Sequence, residues 1–365
     1  FGNLKTNKVI DEISLQGVSM TSRLNNWGTF RGSFGLDQSG KSNSDLIGAT
    51  TPGQCYVAVE RTSSLGEVQV VWFGLVWSQV YQAQAKVVNI TARSIEAYAE
   101  KRIVYDFREY NDVDQGSIFL GLWDDLLNAG IPAGNVGIIL PPSFVTGINK
   151  TFTTKEADFR KFSDAFSSIA DGADGFDWCI NVTKDGNGRY VKTLAVGYPM
   201  LGNSDPKPLT FDYPGNIFNY YRTASISNAG NSVYTTGGNR EEGILSGSAH
   251  HIDQLDSEQW PWLEVVVSRT DVANSNLLQG IAEQEAKLRR PPMNTYKVFV
   301  RGDAAPEFGS YSLGDACRLC IVDPAHEDPG MIVDTRITSW NYKPTSNDTV
   351  EEVELIFEGD ELNQE

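Results

Sequence analysis

The chain has 365 residues, 40% hydrophobic and 21% charged, enough apolar material for two or three cores of ordinary domain size, which excludes a disordered polymer. Its 47 acidic and 30 basic residues leave a net charge of −17, which argues against phosphate-backbone binding, a task for clustered Lys and Arg; the simplest role of such a surface is solubility. Four cysteines in this length are too few for a disulfide scaffold, and no stretch approaches the roughly 18 apolar residues of a membrane span, so a soluble chain is expected. The chain opens at Phe1 with neither Met nor an apolar run of signal length, so part of the natural start is expected to be missing.

Residues 1 to about 104 read as β. Val9–Leu15 and Ser19–Leu24 are strand candidates, Asn25–Gly28 is a turn, and Thr29–Leu36 alternates. Asp37–Gly48 reads as a long polar loop. Pro52-Gly53-Gln54 opens a strand Cys55–Glu60; a polar loop Arg61–Gly66, a long strand Val68–Tyr81 and a strand Ala85–Ala92 follow. Ser94–Lys101 carries Ile95, Tyr98 and Ala99 at helical spacing and closes this part.

Residues 105 to about 212 change to α+β. Ser117–Ala129 reads as a helix with Ile118, Leu122, Leu126 and Leu127 on one face, stopped by Gly130. Thr154–Ala170 reads as a second helix capped by Thr154, with Phe159, Phe162, Phe166 and Ile169 as its buried stripe. Phe176–Thr183 and Arg189–Tyr198 form a hairpin around Asp185-Gly186-Asn187-Gly188. Asn203–Tyr213, with Pro206 and Pro208, reads as an exit linker.

Residues 213–365 return to β. Asn219–Ser227 and Ser232–Thr236 read as paired strands around Asn228–Asn231, Trp262–Arg269 and Tyr296–Arg301 as further strands, and Asn274–Arg290 as a helix ended by Pro291-Pro292. Leu313-Gly314-Asp315 then turns the chain into a strand Ala316–Val322. A polar loop Asp323–Gly330, a long strand Met331–Tyr342, a turn Asn341–Asp348 and a strand Val350–Phe357 with strict alternation complete the chain. This last layout resembles the earlier one, through three identities that either a duplication or chance would give. Gly53, Ser78 and Tyr81 correspond to Gly314, Ser339 and Tyr342 at a constant offset of 261. The expected fold is mainly β with an α+β insertion: a first β-barrel part (1–104), an insertion (105–212) and a second β-barrel part (213–365) with a helix at about 274–290.

A search for chemistry assigns no catalytic, cofactor-binding or metal-binding residue. Cys317 and Cys320 form a C-x-x-C, but within a strand an offset of three places them on opposite faces; Cys55 and Cys179 stand alone. His250, His251 and His326 are the only histidines, too few to suggest imidazole-based metal or nucleophile chemistry. Gly243 to Gly247 has Leu245 where a nucleophile elbow needs Ser. Asp171, Asp174 and Asp177 are spaced by three, wrong for a calcium loop with ligands at alternate positions, and read as a helix-ending turn. Arg301-Gly302-Asp303 reads as a strand-end turn rather than an adhesion tripeptide. Asn89, Asn149, Asn181 and Asn347 fit the glycosylation triplet, a pattern short enough to arise by chance. Eight Trp and 14 Tyr fill sheet cores more readily than a sugar groove.

Several stretches resemble one family when taken in order. Ala92-Arg93-Ser94-Ile95-Glu96-Ala97-Tyr98-Ala99-Glu100-Lys101-Arg102-Ile103 resembles the end of its first barrel. Phe176-Asp177-Trp178 stands before a hairpin. Gly314-Asp315 leads through Asp323-Pro324 to Arg336-Ile337 and the acidic strand Val350–Phe357. Together they resemble the tail-hub proteins of long-tailed phages, in particular the minor tail proteins of siphophages infecting actinobacteria. The resemblance implies two similar β-barrels flanking an inserted domain, and a virion part without enzymatic activity or cofactors. It further implies a homotrimeric ring at the tail tip, whose six barrels adapt a three-fold tip to a six-fold tail tube. Its expected partners are the distal tail or tail-tube ring protein, the tape-measure protein and other tip proteins, with DNA passing through unbound and host-cytoplasmic assembly. Two other classes stay open: a carbohydrate- or receptor-binding β protein, marked by exposed aromatic rings on one face, and a cell-wall hydrolase, marked by two close carboxylates of which one has a raised pKa.

Overall fold

A computed structural model describes residues 1–36, 42–129, 134–155, 158–171, 174–240, 243–269, 275–291, 293–344 and 350–357. The elements in chain order begin with β1 (Gly2–Asn3), β2 (Lys8–Val9), β3 (Gln16–Arg23), β4 (Thr29–Gly35), α1 (Asn43–Gly48), β5 (Cys55–Thr62), β6 (Val68–Gln82), β7 (Val87–Ser94) and a 3₁₀ turn (Ile95–Lys101). There follow β8 (Arg108–Asp114), α2 (Gln115–Asn128), β9 (Ile138–Ile139), β10 (Asn149–Thr154), α3 (Phe162–Ala170), β11 (Asp177–Lys184), β12 (Tyr190–Gly197) and β13 (Thr210–Tyr213). The rest comprises β14 (Ile217–Ser225), β15 (Ser232–Arg240), β16 (Gly243–His250), α4 (Ile252–Asp256), β17 (Glu264–Ser268), α5 (Ser275–Leu288), β18 (Met293–Arg301), β19 (Ala316–Asp323), β20 (His326–Lys343) and β21 (Glu352–Phe357). The fold is mainly β, with a large antiparallel sheet and a few helices, as the alternation predicts. Two compact units are present among the described residues: Phe1–Asn219 with Phe299–Leu355, and Tyr220–Val298 with Ile356 and Phe357.

In the first unit the large sheet runs β21-β20-β3-β4-β7-β6-β5-β1-β2, with β19 pairing β20 and β13. The repeat seen in the sequence has a structural counterpart. Thr51-Pro52-Gly53-Gln54 and Ser312-Leu313-Gly314-Asp315 are equivalent four-residue turns, each closed by a 3.3 Å bond from the fourth N–H to the first carbonyl. Both glycines have positive φ, +76° and +93°, the conformation a type II turn demands at its third residue and which glycine adopts without strain. Each glycine N–H then donates to the long strand behind it, Gly53 to Val76 O (2.9 Å) and Gly314 to Ile337 O (2.8 Å), again 261 apart. A meander of three neighbouring strands follows each turn, β5-β6-β7 in one case and β19-β20-β21 in the other. The two are joined where Ser339–Tyr342 of β20 pair with Met20–Arg23 of β3.

The core of this unit gathers Tyr56, Phe73 and Leu75 of the first meander with Ile118, Phe119, Leu122, Trp123 and Leu126 of α2, Phe162 and Phe166 of α3, and Trp178 of β11. Trp123 stacks on Phe166 at 4.6 Å, and Phe119 packs edge-on to Phe166 and Phe176. The apolar stripe of α2 is buried as its spacing predicts. Asp114 caps this helix, one carboxylate oxygen accepting from the N–H groups of Gly116 and Ser117. The other oxygen accepts from the N–H groups of Thr146 (3.0 Å) and Gly147 (2.7 Å), tying the helix start to the loop before β10.

Several local expectations are corrected. The second helix begins at Phe162, not Thr154. Thr154 ends β10, whose β-branched residues pair with β8, and Phe159, at φ +44° and exposed, lies before the helix rather than in its stripe. The polar loop from Asp37 contains α1, capped by Ser42. The loop Asp323–Gly330 shrinks to a turn at Pro324-Ala325, where the Asp323 carboxylate accepts from the Ala325 N–H and β20 starts at His326. The Val9–Leu15 strand is limited to Lys8–Val9, and the exit linker ends in β13, which pairs in parallel with β19. Gly130 and Pro292 lie outside the described residues.

In the second unit β15 is the middle strand of a sheet β16-β15-β17. It is not hairpin-paired with β14, as the sequence suggests: its neighbours are antiparallel β16 and parallel β17. Helix α5 covers one face through Leu278 and Ile281, packed on Leu245, and the buried Thr235 hydroxyl donates to Leu278 O.

Candidate functional site

A cleft of about 530 Å³ opens in the first unit, within the range of roughly 300–1,000 Å³ typical of binding sites. Its walls are Val68–Phe73 of β6, Cys179–Lys184 of β11, the loop Phe308–Leu313, and Trp340. Glu96 stands at its inner end. The 3₁₀ turn carries this residue off the end of β7, and its carboxylate accepts from the Ile180 N–H at 2.9 Å. Burial pushes the Glu96 pKa up, against bonds from Ser94, its own backbone and Ile180. Lys184, at the other end, is committed to Glu60 at 2.8 Å. Ser22, Gln69, Asn181, Thr183 and Ser312 complete a polar, uncharged lining. Gly309, at φ +95°, lets the Gln69 amide oxygen approach so closely that a Cβ would sit 2.2 Å from it.

Beside the cleft lies a buried ionic junction between the two meanders. Arg61 of β5 donates through Nε to Glu351 at 2.6 Å and through Nη2 to Glu351 at 3.1 Å and to Gly302 O at 2.9 Å. Glu307 approaches the same guanidinium at 2.8 Å, and the Tyr342 hydroxyl donates to Glu351 at 2.5 Å. The bonds to Glu351 raise the Arg61 pKa above its ordinary value, against desolvation. A second buried pair joins Arg336 of β20 to Asp177 of β11, whose carboxylate also accepts from the Leu201 N–H at 2.9 Å.

These groups tie distant segments together. Glu307 and Glu351 share Arg61, and Asp253 and Glu258 share Arg290; the neighbouring guanidinium favours the charged form of Glu307 and of Asp253. His251 is bound by Ala286 O and Arg290, and the His326 side chain lies outside the described residues. Cys317 is fully buried while Cys320 is half-buried on the opposite face of β19. Burial raises the Cys179 pKa, and pushes Cys317 up to about 12. Asp177 is taken by Arg336 and does not join Asp171 and Asp174 in a cage; among the described residues no group of three His, Cys, Asp or Glu could hold a metal. Arg301 and Asp303 bind each other at 2.8 and 3.0 Å. Asn89, Asn149 and Asn181 lie in strands, and Asn347 lies outside the described residues.

About half of the Phe, Tyr and Trp residues are buried in cores. The second unit does expose one aromatic group. On the face of its sheet opposite α5, His250 lies edge-on to Tyr234 (5.6 Å) and Trp262 (5.9 Å), with Trp262 59% exposed. The interplanar angles of 72° and 61° give no shared flat platform.

Sequence reasoning missed the cleft. Glu96 falls in a stretch the sequence singles out, but its burial depends on β11, more than 80 residues away, and no local pattern carries that.

The fold is shared with two solved tail proteins. The 43 kDa tail protein of prophage MuSo2 from Shewanella oneidensis matches with a TM-score of 0.57 and 12% identity, over 96% of this chain and 98% of the other. The tail protein from Neisseria meningitidis MC58 matches with a TM-score of 0.56 and 13% identity, over 94% and 92%. At these identities the likeness is one of fold. No family model and no curated protein matches the sequence.

Proposed function

We propose that the chain is a structural subunit of a phage tail, a hub protein at the tail tip of a long-tailed siphophage infecting actinobacteria. One observation carries this reading: the fold follows that of a prophage tail protein over 96% of this chain and 98% of the other. The repeated turn and meander support the finer part. Three copies of a chain with two like halves, 1–104 and 213–365 around the insertion 105–212, would present six similar surfaces, which suits a three-fold ring docking on a six-fold tube. The partners in this reading are two further copies of the chain, the distal tail or tail-tube ring protein, the tape-measure protein and other tip proteins. The net charge of −17 suits a bore through which DNA slides, since like charge keeps it off the wall. The role in this reading is non-enzymatic.

Cryo-electron microscopy of the chain, alone and mixed with its tail-tube ring protein, tests the reading. A three-fold ring stacked on the tube, with an acidic bore, is the expected result. A monomer in both samples, or a ring with a basic bore, overturns the hub assignment.

A further inference from the structure

The cleft is bordered by strand edges, not by strand faces. A strand that presents its face to a cavity contributes every second residue, because side chains alternate. Here every residue from Val68 to Phe73 and every residue from Cys179 to Lys184 lines the space. The pairing explains why. Over Val68–Phe73, β6 is paired with β5 on one side only, since β7 joins it from Gly74 onward. Strand β11 is the end strand of its sheet β11-β12-β9.

On β11 the outward groups can be identified. The N–H groups of Trp178 and Ile180 point away from β12, to the Asn25 carboxamide and the Glu96 carboxylate, and Trp178 O accepts from the Asn25 N–H. Side chains thus stand in for a missing strand along the inner half of the edge. By the two-residue period the N–H and C=O groups of Val182 and Lys184 also point outward, where no such substitute is present among the described residues. Unpaired main-chain groups of this kind are a template for an added strand.

We propose that this cleft is a β-augmentation slot that receives an extended peptide segment of another protein, laid along the Ile180–Lys184 edge of β11 and faced by the Val68–Phe73 edge of β6. The segment is four to six residues long, matching the two open edges, and free of acidic residues. The Lys184 ammonium is already paired with Glu60, while Glu96 accepts from Ile180 through one oxygen and keeps the other buried without a partner, so an acidic residue would find no free cation there. Phe308, Tyr311 and Trp340 on the remaining wall favour apolar or β-branched residues on that side. The inference rests on strand pairing and does not depend on the tail assignment.

The probe is an end-capped hexapeptide of alternating Val and Thr, with a second version N-methylated at alternate residues along one edge. Hydrogen exchange of the full chain is read by NMR or mass spectrometry. The expected result is slowing of exchange at Val182, Lys184 and within Val68–Phe73 by tenfold or more on adding the plain peptide at about 1 mM. The N-methylated peptide should give none. Val182→Pro removes an outward N–H, a change an edge position tolerates, and should weaken binding fivefold or more with an unchanged circular dichroism spectrum. Equal protection by both peptides, or binding that leaves these amides unprotected, overturns the proposal. So does no protection at about 5 mM plain peptide. The two-peptide comparison uses the unmodified protein, so it decides the matter even if the proline variant does not fold.

Discussion

Replacing Arg61 tests the physical claim that the two meanders are locked by a buried ion pair. The side chains of Arg61 and Glu351 are only 8% and 10% accessible, so each depends on the other for the solvation it has lost. Removing one member of such a pair leaves an uncompensated buried charge and costs about 3–5 kcal/mol, whereas replacing both by apolar groups of similar volume is often close to neutral. Arg61→Met strands Glu351 beside Glu307 and should fall in that range. Glu351→Leu should cost less, about 1–3 kcal/mol, because Glu307 still neutralises the guanidinium. The double variant Arg61→Met/Glu351→Leu should lie within about 2 kcal/mol of the parent. Urea unfolding followed by tryptophan fluorescence, checked by calorimetry, closes the cycle. A cost below about 1 kcal/mol for Arg61→Met, or a double variant equal to the sum of the singles, would refute the claim of a desolvated and coupled pair.

Three further outcomes follow from the same geometry. Gly53→Ala and Gly314→Ala change equivalent turns but differ in surroundings: a Cβ at Gly53 meets nothing within 4 Å, while one at Gly314 sits 2.3 Å from Leu201 O. The first should cost about 1–2 kcal/mol from backbone strain alone and the second clearly more, by denaturant titration; equal costs would refute the difference. The Asp114 carboxylate is held below the usual range, since its bonds from Gly147, Ser117 and Thr146 outweigh the opposing effect of burial. Its stabilisation is therefore full above the unfolded carboxylate pKa of roughly 3.9 and lost as pH falls through the lower folded value. Asp114→Asn should cost about 1–2 kcal/mol at pH 7 and flatten the loss of stability below about pH 4, seen in melting curves against pH; an unchanged acid limb would refute it. Iodoacetamide at pH 8 should label Cys320 ahead of Cys55, Cys179 and Cys317, as peptide mass mapping would read out, because those three thiols are buried; early labelling of Cys317 would contradict the packing of β19.

Local patterns made the sheet legible where burial on one face writes alternation into the chain. Val353 and Leu355 of β21 are fully buried, as the alternation of that strand requires, and the apolar spacing of α2 and α5 placed both helices within two residues. What failed has a common cause. Thr154 has the chemistry of a helix cap, but pairing with β8 decides its conformation. Asn228–Asn231 has the chemistry of a hairpin turn, but β15 finds β16 and β17 instead of β14. Partner choice between strands is non-local, and so is the absence of a partner. The open edges of β6 and β11, on which the cleft depends, have no signature in Val68–Phe73 or Ile180–Lys184 themselves.

The junction at Arg61 also bears on how two similar meanders avoid confusing one another. The cation belongs to the first meander, and its anions, Glu307 and Glu351, belong to the stretch around the second. Were two chains to match first half with first half, arginine would confront arginine; second with second would crowd carboxylates together. Only unlike halves satisfy the charges. The pair of meanders thereby acquires polarity, and a nascent chain has an electrostatic reason to close on itself before meeting a sibling.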